Sequence, residues 1–227
     1  MVEVFAASRF DDGHLGLYDA AAFLGVPWHL VDDGVMADLS GTVSPQGVVA
    51  VCRHVDVPLD EVTASRPRLV TICANVRDPG NAGTVIRCAD AAGAAAVVLA
   101  GTSVDPYNGK AVRASAGSLF HVPIVTEVSV AEAVGQLRAA GMTVLAADGD
   151  GDLSLDTALD TAMLSRPTAW LFGNEAWGLP AADRELADHV VRVPIYGQAE
   201  SLNLATAAAV CLYASARAQR SSGADAD

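Results

Sequence analysis

The sequence predicts an α/β fold, a mostly parallel sheet with helices on both faces. Two observations carry that reading. Short β-rich runs alternate with helix-like segments along the chain, and the runs after residue 67 are continuous apolar stretches rather than alternating ones. Alternation of strand and helix is the pattern of a parallel sheet. A strand covered on both faces shows no polar side, so its run is unbroken.

The strand-like runs are, in order, VEVF, WHLV, GVVAVC, RLVTICA, AAVVLA, VPIVTE, MTVLAA, TAWLFG and HVVRVP. Helix-like segments fall at residues 11–24, 79–92, 129–140, 181–187 and 203–219. The polar stretch TASRPRL at 63–69 carries Pro67 and precedes the strongest strand-loop-helix unit, so a domain boundary is expected there. Residues 1–65 then form a small αβ unit and 66–220 the main domain. Residues 221–227 have the composition of a disordered tail. No internal repeat is present.

The composition narrows the function. A hydrophobic fraction of 52% against 18% charged residues suits a packed core and excludes a disordered chain. Cys52, Cys73, Cys88 and Cys211 lie far apart with no CxxC. They read as reduced structural thiols of a cytoplasmic protein, not as a zinc site or a disulfide frame. No run approaches the roughly 18 apolar residues of a membrane span, and MVEVFAASRF is not a signal peptide. The net charge of −13 opposes crude phosphate binding. Cations are nevertheless concentrated between Arg53 and Arg113, with Arg66, Arg68, Arg77, Arg87 and Lys110 between them, so one basic patch can sit on an acidic body.

Three loops at strand ends hold the chemistry. In RLVTICANVRDPGNAGTVIRCADAAGA, Asp78 suits the N-cap, Pro79 the first helical position and Gly93 the stop. Asn81 lies in the first turn. Arg87 is roughly 9 Å further along the axis, and its side chain leans back towards the loop and Asn81. In TAWLFGNEAWGLP a strand ends in Gly173, Asn174 and Glu175, with Gly178 and Pro180 behind. A plain turn there would leave Glu175 exposed and pack Trp177. In VRVPIYGQAESLNLATAAAVCLYASAR, Ser201 or Asn203 caps a final helix that is apolar on most sides and should be buried. Each loop alone reads as ordinary capping or turning. Together they stand where ligands bind in open parallel sheets, outside the carboxyl ends of the strands. Neither a GxGxxG nor a Walker loop is present, no metal-ligand spacing occurs, and the five His are scattered.

NVRDPGNAGTVIRCADAAGA, LFGNEAWGLP and VPIYGQAESLNLATAAAV resemble, in order and spacing, the three signature motifs of the SpoU (TrmH-like) RNA ribose 2′-O-methyltransferases of the SPOUT superfamily. KAVRASAGSLFHVPI, between the first two, fits as well. The resemblance covers about residues 66–220. It implies S-adenosyl-L-methionine as methyl donor, a C-terminal trefoil knot, and a homodimer with its sites at the subunit interface. Matched position by position, it implies Asn81, Arg87, Glu175, Ser201 and Asn203 as active-site residues. The donor pocket would involve Leu171, Phe172, Gly173, Asn174, Gly178, Ile195, Ser201, Leu202 and Leu204. The family proposal makes Arg87 the base for the 2′-hydroxyl. A guanidinium keeps its proton in nearly any protein environment, so holding the ribose and its 3′ phosphate is the easier role.

Around VSPQGVVAV the N-terminal region resembles the end of a ribosomal-protein-like substrate-binding domain, here cut short. The implied substrate is RNA, ribosomal rather than transfer RNA, with no membrane involved. A non-catalytic RNA- or ribosome-binding relative is the alternative. The full set Asn81, Arg87, Glu175 and Asn203 counts against it. A dehydrogenase would need the glycine fingerprint this chain lacks.

Overall fold

The computed structural model describes residues 1–8, 15–42 and 44–224. Its contacts divide the chain into Met1–His54 and Val55–Asp227. In the first unit β1 (Glu3–Ala7) pairs in parallel with β2 (Trp28–Val31) and antiparallel with β3 (Val48–Val51), giving the order β2-β1-β3. Val4 and Ala6 alternate into the buried face of β1. Helix α1 (Leu15–Phe23) follows β1, and α2 (Asp33–Ser40) follows β2. The Asp32 side chain accepts the Val35 N–H at the start of α2, and Gly41 ends it in the left-handed region. The first four residues of the helix-like segment expected at 11–24 lie outside the described residues, which resume at Leu15.

The second unit is built on seven strands: β4 (Leu69–Ala74), β5 (Ala96–Ala100), β6 (Ile124–Val125), β7 (Thr143–Ala147), β8 (Leu153–Ser154), β9 (Thr168–Phe172) and β10 (His189–Arg192). Their order is β6-β5-β4-β9-β7-β10-β8, and every pairing is parallel. All residues of β4, β5 and β9 are buried, the physical counterpart of their unbroken apolar runs. Two cores lie on the two faces. One takes Cys73, Val97, Leu145 and Trp170 from the strands, under α4 (Pro79–Ala92), α7 (Leu155–Asp160) and α9 (Leu204–Ala224). The other takes Val70, Ile72, Val144 and Leu171, under α3 (Leu59–Ala64) and α6 (Val130–Ala139). Leu59 and Val62 of α3 belong to this second core, so the segment 55–65 packs with the main sheet. The short helices α5 (Gly109–Ser115) and α8 (Ala181–Arg184) complete the unit.

The final helix is buried on one face only. Ala205, Ala208, Cys211, Leu212, Ser215 and Ala216 face the core, and Ser215 accepts the Trp170 indole N–H at 2.9 Å. Val210 and Tyr213 stay exposed. Full burial was expected from composition. The sheet supplies only one surface for the helix to cover, so its remaining apolar side chains meet solvent. The helix also runs on through Ala224, into the stretch expected to be disordered; residues 225–227 lie outside the described residues.

Candidate active site

The register brings four strand ends level. Cys73 of β4 lies beside Phe172 of β9, Phe172 beside Ala147 of β7, and Ala147 beside Val191 of β10. The loops that follow these strands therefore open on one edge, although Asn81 and Asn203 in two of them are 122 residues apart along the chain.

The first loop turns at Asn75, whose φ is 56°, and enters α4 at Asp78. One Asp78 oxygen accepts the Asn81 N–H at 2.7 Å; the other is 3.0 Å from Lys110 Nζ. These two bonds, the amide first, hold the Asp78 carboxyl below its ordinary range. The cap, Pro79 at the first turn and Gly93 at the stop all stand where the residue types placed them.

The second loop is closed on itself. Asn174 and Gly178 exchange two backbone hydrogen bonds of 2.9 Å. A Cβ on Gly173 would lie 2.4 Å from the Gly178 carbonyl carbon, so only glycine fits that neck. The Asn174 amide is buried. It donates to the Asn75 carbonyl at 2.7 Å and accepts the Ala176 N–H at 2.8 Å. Glu175 is thereby presented to the first loop. Its carboxylate accepts the backbone N–H groups of Arg77 and Asp78 at 3.3 and 3.2 Å and the Asn81 Nδ2–H at 3.2 Å.

The third loop joins through Asn203. Its Nδ2 donates to Asn81 Oδ1 at 3.0 Å, and its Oδ1 accepts the N–H groups of Ala205 and Thr206, capping α9. Asn203, not Ser201, is the cap. The result is one continuous chain, Glu175 to Asn81 to Asn203, in which the Asn81 amide has a carboxylate on its nitrogen side and a donor on its oxygen side.

This chain borders a cleft of about 480 Å³, within the usual size of small-molecule sites. Phe172, Gly173, Asn174 and Gly178 line it from the second loop, and Ile195, Ser201, Leu202 and Leu204 from the third. Glu175 and Asn203 also reach it. Leu171 does not: it is fully buried in the core beneath. Its side chain points into that core because alternate residues of β9 serve opposite faces. Asn81 stands behind Glu175 rather than on the wall. Arg87 is exposed and, among the described residues, makes no hydrogen bond or ion pair; it does not reach Asn81. The backward lean of a helical side chain is too short to bridge two turns here.

Sequence reasoning missed one wall. Ala147, Asp148 and Gly149 line the cleft from the end of β7, and Val191, Val193 and Glu200 add to it. The strand-end rule applied equally to MTVLAADGD, but only the sheet order shows that β7 lies next to β9. Apolar walls from Val193, Ile195 and Leu202, with loop peptide groups and carboxylates at the edge, suit a ligand with a flat base and a polar tail. The thiols of the second unit offer no competing chemistry. Burial pushes Cys73 and Cys211 up to about 12, and Cys88 is also raised by burial. Among the described residues no cluster of His, Cys, Asp or Glu is placed to hold a metal ion.

The profile of the SpoU rRNA Methylase family matches residues 68–213. The chain is 37% identical over 189 residues to the 23S rRNA (guanosine(2553)-2′-O)-methyltransferase RlmP of Bacillus subtilis (strain 168), covering 83% of this chain and 72% of that one. The SpoU methyltransferase AviRb from Streptomyces viridochromogenes superposes with a TM-score of 0.83 at 29% identity, over 97% of this chain and 83% of that one. An AdoMet-bound rRNA methyltransferase from Sinorhizobium meliloti gives 0.82 at 31% identity, over 95% and 79%.

Proposed function

Because the chain belongs to the SpoU rRNA methylase family, we propose that it transfers a methyl group from S-adenosyl-L-methionine to a ribose 2′-hydroxyl of large-subunit ribosomal RNA. The observation that carries this reading is the Glu175–Asn81–Asn203 chain at the mouth of a cleft of donor size. The three signature loops, remote in sequence, meet there. The relatives' ribosomal substrates favour ribosomal over transfer RNA.

The bound donor supplies an electrophilic methyl on a sulfonium, and the rest is the protein's work. Phe172, Ile195, Leu202 and Leu204 would enclose its adenosine, with Gly173, Asn174, Gly178 and Ser201 bringing backbone close. Leu171 supports this wall from the core. Glu175 positions Asn81 and fixes the entry to α4. Asn203 ties that entry to α9, so the cleft and the RNA-facing helix share one frame. Arg87 would hold the ribose and its 3′ phosphate and stabilise negative charge developing on the 2′ oxygen. A second copy of the chain would complete the site. The exposed apolar stripe of Val210 and Tyr213 on α9 supports this, as does an Arg87 left without a bond in a single chain.

The trefoil knot and the domain roles belong to the same proposal. β9 enters between β4 and β7, which precede it in the chain, and β10 between β7 and β8; a threaded C-terminus is compatible with that order. Residues 1–65 would recognise RNA and 66–220 transfer the methyl group. Among the described residues no helix is long and apolar enough to cross a membrane, and a ribosomal substrate would be met in the cytoplasm.

The test is incorporation of tritiated methyl from S-adenosyl-L-methionine into deproteinised 23S rRNA, with the product mapped as an alkali-resistant 2′-O-methyl position. Donor binding by calorimetry without any transfer would favour the non-catalytic relative. Base-attached label would refute the ribose assignment. Sedimentation showing a stable monomer at micromolar concentration would refute the dimer.

A further inference from the structure

Trp177 is 60% exposed on a loop that is otherwise held on every side. The Asn174–Gly178 bond pair closes the loop, the buried Asn174 amide braces it, and the absent Cβ of Gly173 lets its neck close. Ala176 and Gly178 line the donor cleft, whereas Trp177 between them does not. The indole therefore stands on the outer rim, on a base with little freedom to fold it away. A plain turn would have packed this ring.

Glu175, two residues before Trp177, also accepts the backbone N–H of Arg77. The Arg77 side chain is exposed and donates from Nη2 to Thr102 Oγ1 at 3.0 Å. Thr102 in turn donates to Asn75 Oδ1 at 3.0 Å, just past the end of β4. Among the described residues no carboxylate pairs with Arg77. On a chain of net charge −13, a guanidinium with no carboxylate partner on the loop that Glu175 contacts, and an exposed indole two residues after Glu175, are a local exception. Single-stranded RNA is bound by that combination: an aromatic face for a base and a cation for the backbone.

We propose that Trp177 and Arg77 form an RNA platform on the rim of the cleft. Trp177 stacks on an unpaired base next to the nucleotide being modified, and Arg77 holds a neighbouring phosphate. The identity of that nucleotide rests on the methyl-transfer reading; the stacking itself does not. Every base has a π-face, so the platform selects an unpaired, splayed strand rather than a sequence.

The experiment compares wild type with W177A, W177F and R77A in two readouts. The first is quenching of tryptophan fluorescence by a mixed-sequence single-stranded RNA 12-mer. For this readout both proteins carry Trp28→Phe, because Trp28 is half-buried in the N-terminal unit. In that background the Trp177 protein should quench and W177F should lose that quench, because Trp170 is buried. The second is methyl transfer to deproteinised 23S rRNA. W177A should raise KM for RNA by roughly 10- to 100-fold, with kcat and affinity for S-adenosylhomocysteine unchanged, and W177F should recover most of the loss. R77A should flatten the plot of log affinity against log salt by about 0.7. Wild-type KM and an unaltered quench in the Trp177 variants would overturn the proposal. So would loss of S-adenosylhomocysteine affinity in parallel, or a W177A chain that sediments as a monomer, which would make Trp177 a subunit contact. If the wild type transfers no methyl group, the proposed activity fails while the quench still decides the platform.

Discussion

Replacing Glu175 tests the frame of the site most directly. Its carboxylate accepts from three donors, the N–H groups of Arg77 and Asp78 and the Asn81 amide. A hydrogen bond to a charged group contributes about 1.5–3 kcal/mol, but this carboxylate is exposed and water replaces part of each bond. Glu175→Ala should therefore cost about 1–2 kcal/mol in all. That corresponds to a melting shift of about 2–8 °C for a unit of this size. The rate should suffer more than stability, because Asn81 loses its hold and Asn203 with it. A misplacement of about 1 Å near the reacting centre costs about 100-fold. Glu175→Gln is the sharper variant. Its carbonyl oxygen still accepts, but its NH2 must face a site where every neighbour is a donor. It should therefore behave like Glu175→Ala rather than like wild type. Scanning calorimetry and tritium incorporation measure the two effects. A Gln variant with wild-type melting and wild-type turnover would refute the three-donor account.

Asn203→Asp should keep the α9 cap, because its oxygen can still accept from Ala205 and Thr206, yet face Asn81 Oδ1 with a second acceptor; melting should hold within about 1 kcal/mol while methyl transfer falls at least tenfold. Arg87→Ala removes an exposed side chain with no bond in the single chain, so stability should stay within about 0.5 kcal/mol. Its turnover on RNA should collapse, and wild-type turnover would end its assignment to the ribose. The Asp78 carboxyl is held below its ordinary 3.8 by the Asn81 N–H and then by Lys110. Its stabilisation is complete above the ordinary value and drains away as pH falls through the lower folded one. Asp78→Asn keeps an acceptor but cannot titrate. The gap in melting temperature between wild type and this variant should close in acid, and a gap constant with pH would refute the linkage.

Which parts of this molecule were legible follows from where the physics is local. Asp78, Pro79 and Gly93 announce α4 because capping is decided within a few residues, and each stands in its expected place. Among the described residues nine of the ten strands were legible, the two-residue β8 being the exception; burial on both faces leaves Thr71 and Thr168 as the only polar residues of β4, β5 and β9. The helices α2, α3, α5 and α7 were not, since six to eight residues hold too few turns for an apolar period. The caps of α2, α5 and α7 were nonetheless written in Asp32, Asn108 and Ser154. Sheet order is the deeper loss. That β9 lies between β4 and β7 depends on pairings such as Cys73 with Phe172, about a hundred residues apart, and no local preference encodes them. The same gap hid Asp148 on the cleft wall and left open whether the Trp177 ring packs or stands exposed. Loop chemistry can be read from residue types, but a residue's task depends on which strand ends the fold sets side by side. At Trp177 that difference separates a core contact from a surface on which RNA can rest.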